Sequence, residues 1–204
     1  MSARRKRQPW ESLSISHPAF RPYAIALGQI ALAWNGFHGT LAVFYCTIMG
    51  GGFANQHLAV WHAIRNDRAQ RAILLAAARD SFGYDSDLGK TVTAEIKWIN
   101  SQADTIEDGR DNALHSPLWA RPATGQKPIV SAVTGLGHVR AKKLAASKRG
   151  LLAEFRWCRD AALVLTDYVA DMDDVLTGRS QKSLPQRPRL PYRGQKTSKM
   201  VPKI

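Results

Sequence analysis

The chain has 204 residues, of which 45% are hydrophobic, and it carries a formal net charge of +13. This length and composition predict one domain of ordinary size with a real core and terminal extensions. The two cysteines, Cys46 and Cys158, lie in apolar stretches and exclude both a disulfide framework and cysteine-based zinc spacing, which favours the reducing cytoplasm. The basic run at residues 4–7 is followed by polar residues rather than an apolar stretch, so we expect no secretory signal.

The positive charge is concentrated outside the expected helical body. Residues 1–22 carry five basic residues and one acidic residue, whereas residues 117–150 carry seven basic residues and no acidic one. Residues 179–204 carry eight basic residues, again without an acidic one. This distribution predicts a basic N-terminal arm at 1–18, a helical domain at 19–180 and a basic tail at 181–204. It indicates a polyanionic partner, and the alternative is that the arms serve solubility.

Four segments have apolar residues at alternating steps of three and four, which predicts amphipathic helices. In chain order they cover residues 23–48, 55–82, 92–113 and 151–176, and glycines follow the first, second and fourth. The prediction is therefore an all-α fold, an antiparallel bundle of four to five helices. The residues expected in its core are Trp34, Phe37, Ile99, Ile106, Phe155 and Leu165.

Residues 22–64 contain no Asp, Glu, Lys or Arg, a length that could also span a bilayer. Gln29, Asn35 and His38 interrupt the run, so a buried central helix explains it better than membrane insertion. His38 and His62 are expected to be core or boundary histidines.

The connection at residues 117–147 contains prolines and glycines that forbid one continuous helix. We expect an irregular basic connection here, with a short strand pair around Ile129, Val130 and Val133. The basic tail contains three prolines in its first half, and the prediction is a disordered arm that is partly polyproline II.

Residues 110–115 read Arg-Asp-Asn-Ala-Leu-His and lie near the end of the third predicted helix. Arg110 occupies the next position of that helix's apolar stripe, where a charge requires a counter-charge, a partner subunit or an anion-binding cleft. The plain alternative is an ion pair with Asp104, Glu107 or an acid on the last helix.

His115 follows Arg110 by five residues, about 140° around an ideal helix. Because Ser116 precedes a proline and should leave helical geometry, we expect His115 to turn toward the cleft. The alternative is a histidine favoured at the helix C-terminus by the macrodipole. A guanidinium can hold a phosphate and an imidazole can transfer a proton near neutral pH, so the pair suits phosphodiester chemistry.

An arginine, a polar residue and then a histidine at this spacing, late in a helix of an all-α chain, resembles the HEPN superfamily. The charge-poor, aromatic-rich first helix is similar too, and the resemblance covers roughly residues 20–180. It implies a metal-independent endoribonuclease site shared by two protomers, in which Arg110 binds the scissile phosphate and His115 transfers the proton. Asp111 matches the polar position of the motif, and Asn112 would orient the imidazole or the phosphate. Some members carry a tyrosine two residues after the histidine as a target of modification. Here that position is Pro117, so the resemblance does not extend to this regulation.

Two further groups of basic residues are predicted to contact RNA phosphates. The first is a ridge on the second predicted helix, for which the alternative is a solvated face paired with Asp67. The second is a cluster before the last helix, with no acidic residue nearby. These residues are Arg65, Arg68 and Arg71, then Arg140, Lys142, Lys143, Lys148 and Arg149.

The leading hypothesis is a HEPN-like endoribonuclease that attacks RNA through the ribose 2′-hydroxyl. We expect a cytoplasmic homodimer that binds RNA, uses no metal or cofactor, and serves as a toxin or in defence, with a cognate antitoxin as a further partner. The alternatives are a non-catalytic helical module that binds RNA or protein, and a regulatory or structural protein without a nucleic-acid role.

Overall fold

A computed structural model describes residues 13–83, 85–123, 126–134, 138–147, 150–180 and 183–192. The described chain is mostly helical, as the sequence predicts. A 3-10 turn, Pro18–Phe20, precedes the helices α1 (Arg21–Ile48), α2 (Ala54–Ala63), α3 (Asp67–Phe82) and α4 (Asp87–Leu114). Two strands follow, β1 (Leu118–Ala123) and β2 (Gln126–Ala132), and then the helices α5 (Val139–Ala145) and α6 (Leu151–Leu176).

The core lies where α1 packs along α6, with α4 against α6 and α3 against α4. All six residues predicted in the core are at most 3% exposed. Burying their apolar surface is the main driving force for this arrangement of helices. Within the described residues, no helix combines the length and the hydropathy that crossing a bilayer requires.

The single helix predicted for residues 55–82 is wrong, because the chain breaks between α2 and α3. Ile64 is extended, and Asn66 is the N-cap of α3, whose side chain accepts a hydrogen bond from the Ala69 amide at 3.1 Å. Asparagine is a favoured N-cap because its side chain satisfies an amide that the helix leaves free. The break matters for the site, since it places Asp67 at the first turn of α3.

The connection before α6 is more regular than the sequence indicates. β1 and β2 form an antiparallel pair in which Trp119 faces Ser131, and the Trp119 indole donates a hydrogen bond to the Ser131 hydroxyl at 3.0 Å. Ile129 and Val130 lie in a strand as expected, but their partner is β1 rather than the segment around Val133, which lies beyond β2. The described part of this connection is a hairpin followed by a helix rather than irregular chain, because cross-strand bonds satisfy its backbone.

Both terminal extensions contact the domain where they are described. The Leu13 amide donates to the Ala120 carbonyl at 2.9 Å, so the described end of the N-terminal arm is tied to β1. Residues 183–192 lie on the domain, although disorder is predicted for 181–204: Leu184 packs against the core, and the Trp157 indole donates to the Pro191 carbonyl at 2.7 Å. An extended proline-containing segment leaves its carbonyls free to accept such bonds. The rest of both predicted arms, residues 1–12 and 193–204, lies outside the described residues.

Removing the docked segment should destabilise the fold. We expect a chain ending at residue 182 to lose about 2–4 kcal/mol relative to a chain ending at Tyr192, from one partly buried hydrogen bond and the leucine contacts. Arg187 adds an ion pair with Glu95 at 2.7 Å. Comparing the midpoints of urea unfolding for the two chains measures the effect, and equal midpoints would show that the segment contributes nothing.

Candidate functional site

Arg110 lies near the C-terminal end of α4, and its side chain is 18% exposed. It lines a cavity of about 340 Å³ together with residues of α1, α2 and α3. Its Nη1 donates to Asp67 Oδ2 at 3.1 Å, and its Nε and Nη2 both donate to Asp111 Oδ1, at 3.0 and 2.7 Å. The guanidinium also lies 4.8 Å from the centroid of the Trp34 ring, within cation–π range. The sequence predicts a counter-charge for Arg110. The partners of Arg110 are Asp67 and Asp111 rather than Asp104, Glu107 or an acid on α6.

Asp67 joins three helices through one carboxylate oxygen. Besides Arg110, Oδ2 accepts a hydrogen bond from the Trp34 indole at 2.8 Å, and His38 Nε2 lies 3.9 Å away. Burial alone would raise the pKa of Asp67. The Trp34 hydrogen bond, His38 and Arg110 together outweigh burial, and the pKa is lowered. Asp67 is therefore a carboxylate at neutral pH and holds Arg110 and Trp34 in place.

The tautomer of His38 follows from its neighbour Gln70. The Gln70 amide nitrogen donates to the carbonyls of Trp61 and Ile64, at 3.1 and 3.0 Å, which leaves its Oε1 as an acceptor facing His38 Nδ1 at 3.1 Å. Nδ1 therefore carries the proton, and Nε2 is free to accept from Arg71 Nη1 at 3.5 Å. Burial lowers the pKa of His38, the Arg71 and Arg110 charges lower it further, and Asp67 and Gln70 act in the opposite direction.

The lowered pKa of His38 predicts a pH dependence of stability. The folded protein takes up this proton less readily than the unfolded chain, so the stabilisation is complete above the unfolded pKa, about 6.5, and declines as the pH falls below it. We expect the urea midpoint to fall between pH 7.5 and 5.5, and the fall to be smaller in His38→Gln. Parallel pH curves for the two proteins would contradict this assignment.

The predicted basic ridge on α3 is not a continuous phosphate-binding surface. Arg71 is only 2% exposed, and its Nη2 lies 2.7 Å from both Asp104 and Glu107. Arg68 is exposed but contacts Glu107 at 3.1 Å and Asp108 at 3.3 Å. These acids are on α4, which the sequence could not place opposite α3. Of the three predicted arginines, only Arg65, in the α2–α3 loop, is exposed and without an ion pair among the described residues.

His115 is the C-cap of α4, and its amide still donates to the Asp111 carbonyl at 3.0 Å. Its side chain is exposed and makes no hydrogen bond with any described residue. Because α4 stays helical through Leu114, the expected turn of His115 toward Arg110 does not occur before the cap, and the two side chains are not in contact within one chain. Asn112 is half-buried and bridges neither of them.

The second predicted RNA-binding cluster lies beside the same end of α4. Arg140, at the start of α5, is half-exposed, and its Nη2 lies 3.7 Å from Asp111 Oδ2. Lys142 and Lys143 are exposed on α5. Lys148 and Arg149 lie outside the described residues. Of the five predicted cluster residues, the structure thus places Arg140 against Asp111, and Lys142 and Lys143 on the same helix as Arg140.

Sequence reasoning missed Trp34, Asp67 and Gln70 as parts of the site. One signal was available: Trp34 and His38 are four residues apart, on the same face of a charge-poor helix, and a buried indole requires an acceptor. Nothing in the spacing showed that the acceptor would be Asp67, since this depends on how α1 packs against α3.

Among the residues that the structure describes, no group of three or more His, Cys, Asp or Glu side chains is placed to hold a metal ion. The residues that could bind a ligand at this end of the molecule are instead cationic and aromatic. Comparison of the chain with protein-family models, with curated protein sequences and with solved structures found no match.

Proposed function

We propose that this protein is a metal-independent endoribonuclease of the HEPN type, with its helices arranged as a HEPN-like bundle. Arg110 would bind the scissile phosphate, and His115 would transfer a proton. A toxin or defence role with a cognate antitoxin belongs to the same proposal.

The observation that carries this proposal is the contact between Arg140 and Asp111. It joins the basic helix α5 to the Arg110–His115 end of α4, which supports a surface on which the cations of α5 and the exposed imidazole would act together. Phosphate contacts supply most of the affinity of proteins for nucleic acids, and base contacts add specificity. RNA crossing α5 would therefore bring its backbone to the end of α4.

The chemistry needs no group beyond those of the chain and the RNA. The ribose 2′-oxygen loses its proton to a base and attacks the adjacent phosphorus, and the bond from phosphorus to the 5′-oxygen breaks. The 5′-oxygen leaves with a proton, which gives a 2′,3′-cyclic phosphate and a 5′-hydroxyl. Arg110 would stabilise the charge of the phosphorane, and histidine suits both proton transfers because its pKa is near neutral.

Arg110 and His115 are not in contact within one chain, so a site that uses both supports a homodimer. A symmetric pair with α4 near its two-fold axis would bring His115 of one chain toward Arg110 of the other and would supply two histidines, one as base and one as acid. The Asp67 and Asp111 contacts would hold each arginine in place while two cations share the cleft. Cleavage by a strictly monomeric protein would contradict the shared site.

Cleavage in the presence of EDTA tests the reaction directly. We expect the purified protein to cut mixed RNA in EDTA and to leave 2′,3′-cyclic phosphate ends. These ends are identified because they cannot be ligated until the cyclic phosphate has been opened and removed. The matched substrate is the same sequence with a 2′-deoxyribose at the cut position, which should not be cleaved there. A requirement for added divalent cations would contradict the mechanism.

The second candidate function is a non-catalytic helical module that binds RNA through α5. One observation favours it: Asp67 and Asp111 together engage three nitrogen atoms of Arg110, which leaves less of the guanidinium for a phosphate. Salt-dependent RNA binding without cleavage, weakened by Lys142→Ala and Lys143→Ala, would support this function over the first.

A further inference from the structure

A second cleft lies beside the chain that follows the His115 cap of α4. It has a volume of about 550 Å³ and is bounded by the 3-10 turn, the first turns of α1 and the chain that follows α4. Its wall is mainly apolar and aromatic. The residues that form this part of the wall are Ile15, Phe20, Tyr23, Leu27 and Leu118. Small-molecule sites are commonly clefts of this size with a few placed polar groups.

Ser116 supplies the first of those polar groups. It is 7% exposed and lines the cleft, and its Oγ has no hydrogen-bond partner among the described residues. A buried hydroxyl without a partner is unfavourable, because no hydrogen bond offsets the loss of its hydration. A ligand in the cleft that offers a donor or an acceptor to Ser116 would recover this cost, so the hydroxyl indicates a polar edge on the ligand.

His17 and Arg21 supply donors near the mouth of the cleft. The His17 Nδ1 accepts a hydrogen bond from the Ala19 amide at 3.1 Å, so the neutral ring carries its proton on Nε2 and can donate it. Arg21 is exposed and forms no ion pair with the described residues. The cleft thus combines an aromatic wall, a buried hydroxyl, an imidazole donor and a cation.

We propose that this cleft binds a nucleobase of the RNA substrate, an inference that rests on the proposed function. A base is a flat ring with polar edges, and proteins bind unpaired bases by stacking on aromatic side chains and by hydrogen bonds to those edges. Ser116 directly follows His115, with adjacent Cα atoms about 3.8 Å apart. A nucleotide whose base contacts Ser116 would therefore have its ribose and phosphate near His115, and Arg21, which lines the same cleft, would bind a neighbouring phosphate.

The polar groups of the cleft determine which bases it would recognise. The donors and the hydroxyl select a base by its edge, whereas the α5 cations bind any phosphate. The cleft would therefore determine which nucleotide lies next to the cut.

Mononucleotide binding to the full-length His115→Ala protein tests the cleft apart from cleavage. The probes are AMP, GMP, CMP and UMP in equilibrium dialysis, with ribose 5-phosphate as the probe that lacks a base. We expect at least one mononucleotide to bind about tenfold or more tightly than ribose 5-phosphate. Ser116→Ala should weaken that binding about 2- to 10-fold, as expected for one hydrogen bond, and the exposed Ser101→Ala should leave it unchanged.

A cleft-filling variant provides an independent test. Ala24 is exposed on α1 and lines the cleft, so Ala24→Trp should block mononucleotide binding and change the nucleotide preference at the cut in the active protein. If RNA is cut with the same preference and no mononucleotide binds, the inference fails while the proposed function stands. If mononucleotides bind and Ala24→Trp blocks them but no RNA is cut in EDTA, the proposed function fails and the base site stands. Equal binding of ribose 5-phosphate and mononucleotides would overturn base recognition.

Discussion

His115→Ala is expected to lower the rate of RNA cleavage about 10²- to 10⁴-fold, the range that a general acid or base contributes. The exposed imidazole makes no hydrogen bond with the described residues, so its removal should leave the melting temperature within error of the wild type. Leu114→Ala is the matched control, because Leu114 is also exposed, 41%, at the same helix end. Full activity in His115→Ala would refute the role of this residue.

Arg110 requires a different design, because it also has a structural role. Arg110→Ala would remove the contacts to Asp67, Asp111 and Trp34, so a loss of cleavage could follow from a disturbed helix end. Arg110→Lys keeps a charge near Asp67 but loses the fork that holds a phosphate with two nitrogen atoms. We expect both variants to lose cleavage and Arg110→Lys to stay closer to the wild-type melting temperature. Arg156→Ala, an exposed arginine on α6, serves as the control.

Arg71→Met is expected to cost about 3–5 kcal/mol of unfolding free energy, the effect of breaking a buried ion pair by removing one partner. For a chain of this size each kcal/mol corresponds to about 2–4 °C, so the melting temperature should fall by roughly 6–20 °C. Glu107, whose side chain is only 12% exposed, would lose its closest partner. Thermal unfolding followed by circular dichroism measures the change.

Arg68→Met is the comparison for this variant. Arg68 contacts the same two acids, Asp104 and Glu107, but its side chain is 58% exposed, and solvent screens such pairs. We expect little change in its melting temperature. Adding Glu107→Gln to Arg71→Met should restore part of the lost stability, because the carboxylate without a partner is then neutral. Similar melting temperatures for Arg71→Met and Arg68→Met would show that burial does not distinguish the two arginines.

The helices and the core could be predicted because both follow from local pattern. Apolar side chains at three- and four-residue spacing must face inward together, and Trp34, Ile106 and Phe155 do so. The break at Asn66 was missed because one helix was extended from Ile64 to Leu75 across residues 65–71, which are polar apart from Ala69 and include the N-cap. The docking of residues 183–192 was also missed, because an indole on α6 and a carbonyl at Pro191 have no relation in sequence.

The candidate site was predicted in part for the same reason. Arg110 lies on an apolar stripe, so the sequence predicts that it needs a counter-charge. Which residue supplies that charge, here Asp67, depends on how α3 packs beside α4. The exposure of Arg71 could not be inferred either, because the arginines at 65, 68 and 71 look alike until one face of α3 is covered. Whether Arg110 and His115 act together in catalysis stays a prediction.

The shared carboxylate of Asp67 has a consequence for how this sequence can change over evolutionary time. Trp34 on α1 and Arg110 on α4 both donate to the same oxygen, so neither position is free to vary while Asp67 stays. Replacing the aspartate would leave the Trp34 indole and Nη1 of Arg110 without an acceptor at once, while Asp111 would still accept from Nε and Nη2. Positions 34, 67 and 110 should therefore substitute together among sequences with this fold, with loss of one accompanied by compensating changes at the other two.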